Sequence, residues 1–409
     1  MSGPLRVAIL GFALPQQRFD EVAASDDSMP TQTQRFGLSL VQALRSVGCE
    51  VLAISAAPAT SYPHNRHLVF PPRTGELAGS AFLELGFVNV NVVKHLTRLG
   101  SAVMRGLPAM RRWQAQILLI HGVHSPFIVV GLLARRLLRT PVVVAMTDPP
   151  STPHGFDNTA SLLFKRIDRR LILKLLSRCD GVIALTLDLA NDFAPGVPCI
   201  VMEGIAPGLV NHDTQRLVGR KPDRPTVVYA GGVSDEYGVG LLLEAHRLGQ
   251  GSFDLTIFGK GPLVDSVTLA SRERAGLTYG GVVTADRLAQ AYSDADLLVN
   301  PRPTHRSFVR YSFPSKLMEY LESGTPVIST RLPGIPDSYW DYLIPTVDTP
   351  EAILATIVQA GRSTEAVRLG QDGKVFIKES KSRRAQGSAM ASFLASMVNQ
   401  LGRDRSTDQ

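Results

Sequence analysis

Short apolar runs recur along the chain, each followed by a polar or Gly/Pro-bearing loop and then by a longer stretch of helical periodicity. The first, RVAILGF (Arg6–Phe12), leads into TQTQRFGLSLVQALRSVG and a second run, EVLAIS. QILLIH, VVVAM, DGVIALT and CIV continue the pattern. Uninterrupted runs of this length read as strands buried on both faces of a parallel sheet, and their alternation with helices predicts a doubly wound α/β fold. After the polar, basic, proline-bearing stretch Asn211–Pro225 the pattern restarts with TVVYAGG (Thr226–Gly232), DLTIFGK, LTYGG, DADLLV and TPVIST. The repetition predicts one α/β domain over residues 1–210 and a second over 211–385. Residues 386–409 hold an amphipathic segment, SAMASFLASMVNQLG, and a polar tail.

Most of the chemistry lies in Asn300–Gly334, NPRPTHRSFVRYSFPSKLMEYLESGTPVISTRLPG. A loop bearing Arg302, His305, Arg306 and Arg310 follows the DADLLV strand. Pro314 and Ser315 then open a predicted helix, proline suiting the first turn and serine the cap. Leu317, Met318 and Leu321 form its apolar face, and Gly324 ends it. A basic loop running into a helix N-terminus makes an anion site, because free N–H groups and the helix dipole both favour negative charge. Lys316 stands in the first turn, and Glu319 is placed to reach the ribose hydroxyls of a nucleotide whose phosphates sit there. The same spacing is also that of an ordinary i,i+3 ion pair.

YSFPSKLMEYLESGTPVISTRLPGIPDSY resembles the donor-site segment of retaining glycosyltransferases of family 4, which have the GT-B fold. It is most similar to the branch that builds bacterial exopolysaccharide and capsule, since NPR, SFPSK, EY with a small-residue turn, and GIP stand in that order. The resemblance implies two doubly wound Rossmann-like domains facing across a cleft, acceptor on the first and donor on the second. The last helix would cross back onto the first domain. It further implies transfer of a hexose from a UDP- or GDP-sugar without a metal, the charge of the departing diphosphate being met by amides and cations. In those terms Lys316 and Arg302 carry the diphosphate, with the Ser315 and Leu317 amides and the flanking Phe313 and Pro314. Glu319 holds ribose, Lys260 adds a cation, and the backbone at Gly281 and Val282 holds the base edge. Gly231 and Gly232 allow a ligand close to the backbone. Asp148 and His124, at strand ends of the first domain, complete the catalytic set. Gly11, Gln34 and Arg35 border the acceptor side.

Four positions depart from the family pattern. Val233 and Tyr237 stand where relatives carry Arg and Lys, and Thr147 stands where most carry histidine. Counting back from Glu319, Tyr311 falls where a first glutamate would touch the donor sugar, so donor identity does not carry over. These losses leave open a second class, an inactive GT-B protein that binds nucleotide or a partner without turnover. GFALPQ lacks the G-x-G-x-x-G turn of a dehydrogenase. Asp294-Ala-Asp296 mimics a metal-binding D-x-D, but its place at a helix-to-strand junction reads as structural. His121 and His124 lack a third metal ligand.

Composition narrows the setting. The 409 residues suffice for two α/β domains, and 44% hydrophobic with 19% charged content fits a globular protein. No apolar run approaches the ~18 residues of a transmembrane helix. The N-terminal apolar run is too short for a signal peptide, and Cys49, Cys179 and Cys199 are odd in number without metal spacing. Together these predict a cytoplasmic location. The net charge of +7 is uneven: between Lys94 and Arg178 fourteen Lys and Arg face three Asp. VNVVKHLTRLGSAVMRGLPAMRRW (Val90–Trp113), predicted helical with a break near Gly106–Pro108, mixes basic and apolar residues, as do ARRLLR and KRIDRRLILKLLSR. That mixture predicts peripheral contact with an anionic membrane, and with it a lipid-linked saccharide or glycolipid acceptor. The alternative is an internal helix with a solvated basic face. A nucleic-acid partner is not expected, because no aromatic-interleaved module accompanies the basic face.

Overall fold

The computed structural model describes residues 3–26, 29, 31–150, 159–208 and 224–407. The chain divides into two compact units: Met1–Ile205 together with Arg383–Gln409, and Ala206–Ser382. The contacts change at Ile205–Ala206, whereas most of the predicted boundary segment Asn211–Pro225 lies outside the described residues.

Unit 1 contains β1 (Arg6–Gly11), β2 (Glu50–Ser55), β3 (Val69–Phe70), β4 (Arg73–Leu77), β5 (Ser80–Glu84), β6 (Phe87–Val88), β7 (Ile117–His121), β8 (Val142–Met146), β9 (Gly181–Ala184) and β10 (Cys199–Val201). Eight of them form one sheet in the order β10-β9-β8-β7-β1-β2-β5-β4, while β3 and β6 pair separately. All neighbours in the large sheet are parallel except β4 and β5. Their two-residue turn, Ala78–Gly79, has both residues at positive φ (50° and 76°), which suits a tight hairpin. Sequence periodicity did not foretell this hairpin, because β4 is an exposed edge strand with little apolar signal. β7 and β8 are buried along their whole length, which is why they read as continuous apolar runs. The sheet winds one way from β1 through β2 and the other way from β1 through β7, so a crevice opens at the carboxyl ends of β1 and β7.

The predicted break near Gly106–Pro108 is a wide turn instead. A helix over Asn91–Ser101 passes through a single π turn, Ala102–Gly106, into a helical segment over Leu107–Trp113. Pro108 falls at the start of that last segment, where a missing N–H costs least. The C-terminal helix, Arg383–Thr407, belongs to unit 1 and packs on the Thr31–Ser46 helix, with Gly387 against the Ala43 carbonyl.

Unit 2 contains β11 (Thr226–Gly232), β12 (Asp254–Lys260), β13 (Leu277–Gly281), β14 (Leu297–Asn300), β15 (Val327–Thr330) and β16 (Ile344–Thr346). They form an all-parallel sheet in the order β13-β12-β11-β14-β15-β16, the 3-2-1-4-5-6 arrangement of a doubly wound nucleotide-binding fold. Its switch point lies between β11 and β14, which are in register only at Val227↔Leu297 and Val228↔Leu298. Further along, the Tyr320 hydroxyl stands beside β11: it accepts from the Ala230 N–H (2.7 Å) and donates to the Ala230 carbonyl (3.0 Å). Both backbone groups of Ala230 are thereby satisfied by a side chain, and a crevice forms at the carboxyl ends.

Candidate functional site

In unit 2 the switch point is built by three loops. Asn300 ends β14, its side chain donating to Ser329 Oγ at 2.9 Å, and the chain turns through Pro301 to Arg302. Thr330 Oγ1 donates to the Arg302 carbonyl at 2.6 Å and fixes that turn. The Arg302 side chain is only 8% exposed. Its guanidinium lies over the Tyr237 ring at 4.8 Å and the Phe308 ring at 5.7 Å, and Nη1 donates to Ser312 Oγ at 3.4 Å. Nε is buried and has no partner, and among the described residues no carboxylate pairs with Arg302. Burial lowers its pKa, the ordinary response of a cation held out of water without a counter-charge.

The neighbouring helix spans Ser315–Ser323 and ends at Gly324 in the left-handed region, as predicted. Its start differs from expectation. Pro314 is the cap residue and Ser315 the first helical residue, with no side chain capping the first turn. Leu317 already donates its amide to the Pro314 carbonyl (2.8 Å) and is fully buried, so its assigned amide contact does not stand. The Ser315 and Lys316 amides remain at the helix end. Lys316 Nζ lies 2.7 Å from Glu319 Oε2, and Tyr292 donates to the same oxygen at 3.1 Å. The i,i+3 ion pair is therefore present, and it ties together the two side chains expected to meet phosphate and ribose.

Other expected residues are displaced from direct contact. Phe313 is a core residue, packed on Tyr339 with ring centroids 5.2 Å apart. A Cβ at Gly231 would strike the Tyr229 hydroxyl, and one at Gly232 the Tyr237 ring. These glycines make room for side chains of their own unit rather than for a ligand. Their consequence is indirect: Gly232 admits Tyr237, and Tyr237 carries Arg302. The cation missing from the β11 loop is thus supplied by the β14 loop and stacked on the residue that replaced it. Lys260 and Val282 are exposed at the ends of β12 and β13, and Gly281 has a positive φ of 70°. His305 lies 3.9 Å from Asp348, Arg306 is exposed, and Arg310 lies over the Tyr311 ring at 5.0 Å. Asp296 accepts from the Thr226 amide and hydroxyl (2.8 and 2.9 Å), so that member of the D-x-D pair fastens β11 to its neighbour.

The switch point of unit 1 holds a second cluster. His124 caps the Ser125–Leu137 helix by position, without a side-chain cap bond. Its Nε2 shares a hydrogen bond with His95 Nδ1 at 3.1 Å, and its ring packs between Phe12 and Phe127. His124 Nδ1 is buried without a partner. Arg98, 4% exposed, donates Nη2 to the Ala57 carbonyl (2.7 Å) and lies over the Phe87 ring at 4.2 Å, its Nε also unpartnered. Burial, then repulsion from Arg98 and Lys94, lowers the His95 pKa to about 4 and holds His124 well below its usual range. Burial lowers Arg98 to about 9; burial and the Arg98 charge lower Lys94 to about 8. Lys94, His95 and Arg98 fall in a stretch whose basic residues read, from sequence, as a membrane-facing or solvated face. Only their contacts with Phe12, Phe87 and His124, distant in sequence, reveal the cluster.

Several unit 1 candidates serve the frame. The Gln34 side chain accepts from the Leu14 amide (2.8 Å) and donates to its carbonyl (2.6 Å), pinning the loop after β1. Gly11 gives space to His121, which is buried at the end of β7 with its ring 5.5 Å from that of Phe36. Arg35 is exposed, as is Asp148, which accepts from the Thr147 hydroxyl at 2.8 Å.

The comparisons fit this architecture. Residues 33–207 match the model for "Glycosyltransferase Family 4", and residues 224–362 match "Glycosyl transferases group 1". Sucrose-phosphate synthase from Thermosynechococcus elongatus superposes with a TM-score of 0.64 at 15% identity, over 99% of this chain and 100% of that one. HepE from Anabaena, solved with UDP, gives 0.62 at 13% identity over 96% and 100%. The E. coli structure titled trehalose-6-phosphate, bound with UDP-2-fluoro glucose, gives 0.61 at 10% identity over 95% and 98%. No curated protein matches the sequence. The fold is of the GT-B type. The chain belongs to the family 4 type of glycosyltransferase.

Proposed function

We propose that this protein transfers a hexose, with retention of anomeric configuration and without a metal, from a nucleoside diphosphate sugar to a lipid-linked saccharide in bacterial surface polysaccharide or glycolipid synthesis. The observation that carries the reading is Arg302, a buried cation without a carboxylate partner among the described residues, at the β11/β14 switch point and next to the start of the Ser315–Ser323 helix, which no side chain caps. A diphosphate there would gain a charge-assisted bond to Arg302 and the Ser315 and Lys316 amides. The same contacts strengthen as charge grows on the leaving group. Glu319 would exchange part of its bond with Lys316 for the ribose hydroxyls, freeing Lys316 for phosphate. UDP is the first nucleotide to test, because folds of this kind are seen with UDP and a UDP-sugar analogue.

The acceptor reading rests on unit 1. Leu163, Ile167 and Leu171 are 56%, 58% and 44% exposed at successive turns of the Thr159–Leu176 helix, among Lys165, Arg166, Arg169 and Arg170. Met104 is exposed beside Arg105, and no helix among the described residues is long and apolar enough to cross a membrane. Apolar stripes flanked by arginine suit an anionic bilayer surface.

A thermal-shift panel of UDP, GDP, ADP and NAD with their sugar conjugates tests the donor site, since a ligand that binds only the folded state raises its melting temperature. A shift with one nucleoside diphosphate is expected. No shift with any diphosphate would remove the assignment. Binding without transfer to any acceptor would favour the inactive binding protein, which the absent histidine at Thr147 keeps in view.

A further inference from the structure

The β1/β7 crevice of unit 1 gathers Lys94, His95 and Arg98 from one face of the Asn91–Ser101 helix against His124 at the start of the next helix. Among the described residues none of the four is ion-paired. The carboxylates that act on the group are Asp26, felt by Lys94, and Asp168, felt by His95. Asp26 already accepts from the Thr60 amide and hydroxyl and from Asn65. The walls are aromatic: Phe12, Phe87 and Phe127. Such a place concentrates positive potential while leaving polar groups unspent, His124 Nδ1 and Arg98 Nε being buried without partners among the described residues. Unpaired buried donors cost stability unless something recurrent satisfies them. The crevice at a topological switch point is where an open α/β sheet takes its ligand.

We infer that this crevice binds an anionic oxygen-rich group of the acceptor, a phosphate ester, through Lys94, His95 and His124, with Arg98 behind them as fixed counter-charge. The inference rests on the glycosyltransfer reading and names the chemistry of its second substrate. A phosphate offers several acceptor oxygens to donors arriving from two helices, and a neutral saccharide does not match the surplus charge. Both histidines are neutral when the crevice is unliganded, since burial disfavours their charged forms. An arriving dianion reverses that preference and draws protons onto them. Binding therefore couples to proton uptake at His95 and His124, with Lys94, Arg98, Asp26 and Asp168 as the surrounding charges.

The test is histidine side-chain NMR on the full chain, with phenyl phosphate as the probe, phenol as its neutral counterpart and sulfate as a free anion. The His95 and His124 signals are expected to move with phenyl phosphate and to titrate at higher pH in its presence, while exposed His305 stays put. Sulfate keeps its charge between about pH 6 and about pH 8, so its tighter binding at the lower value would report protons taken up by the protein. Lys94→Gln, a change at a partly exposed position, should weaken phenyl phosphate about tenfold and leave UDP binding unchanged. Unmoved histidines, or a variant that binds the probe as well as the parent chain, would overturn the inference. So would displacement of the probe by UDP, which would put the anion in unit 2. Binding of sulfate but not of the ester would reduce the crevice to a salt site and sink the acceptor assignment. If UDP fails to bind while the histidines still respond, the donor reading falls and the anion site stands.

Discussion

The two units solve one problem with different parts. Each has a parallel sheet whose winding reverses beside its first strand, and each places an arginine without a carboxylate partner, among the described residues, at that reversal. In unit 2 the arginine comes from a strand end: Arg302 leaves β14 and stacks on Tyr237, beside a helix start in the same contiguous segment. In unit 1 it comes from a helix: Arg98 is anchored on the Ala57 carbonyl and stacked on Phe87, with its neighbours drawn from residues 12, 94–95 and 124. A site written in one stretch of chain is legible as a motif. A site assembled from four stretches shows only once the sheet brings them together.

The largest expected effect separates the arginines. Arg302→Ala should weaken UDP about a hundredfold or more while barely changing uridine binding, because a buried charge-assisted contact is lost. Isothermal titration of both ligands checks it, and equal losses would remove Arg302 from the diphosphate. Arg302→Lys should not recover the loss, since ammonium lacks the planar fork that stacks on Tyr237.

Acid should divide the units next. His121 is fully buried with its pKa lowered to about 4, His95 likewise to about 4, and burial holds His124 well below its usual range. A histidine whose folded pKa is depressed takes up more protons in the unfolded chain. Stability from keeping it neutral is thus complete above the unfolded value near 6.5 and is lost as pH falls toward 4. For His121 alone that amounts to on the order of 2–3 kcal/mol. In unit 2 the corresponding group is the buried His246, lowered by burial and by Arg274. Hydrogen exchange at about pH 5 against about pH 7 should therefore show protection falling first in β1, β7 and β8. Earlier loss in β11 and β14 would contradict the contrast.

Lys316→Ala should cost about tenfold in diphosphate affinity, less than Arg302→Ala, because Lys316 is shared with Glu319 and is partly solvated. The smallest effect distinguishes stacking from hydroxyl chemistry. Tyr237→Phe should leave UDP affinity within about twofold, whereas Tyr237→Ala should lower it several-fold by releasing Arg302. A loss with phenylalanine as large as with alanine would show that the hydroxyl, not the ring, matters.

Against this background the limits of sequence reading are specific. The buried strands, the Ser315–Ser323 helix with Gly324 after it, and Arg302 with Lys316 and Glu319 were legible because apolar runs and local spacing encode them. Tyr320 was not, although it satisfies both backbone groups of Ala230, since nothing adjacent in sequence marks a tyrosine that partners a strand ninety residues away. Phe313, Leu317, Gly231 and Gly232 were placed at the ligand by motif, but their side chains, or the space they leave, serve packing. The cationic crevice of unit 1 was hidden because Lys94, His95 and Arg98 have the same composition as a surface helix. Only burial tells them apart.

The Arg383–Thr407 helix has a consequence for how the molecule is made. It packs on the Thr31–Ser46 helix of unit 1, yet it is synthesised after all of Ala206–Ser382. On the ribosome, the later-made unit is the one whose parts are contiguous and can be completed first, while the earlier one waits with an uncovered helix for its last piece to emerge. Released chains truncated after Ser382 should therefore carry a protease-resistant second half and a protease-sensitive first half.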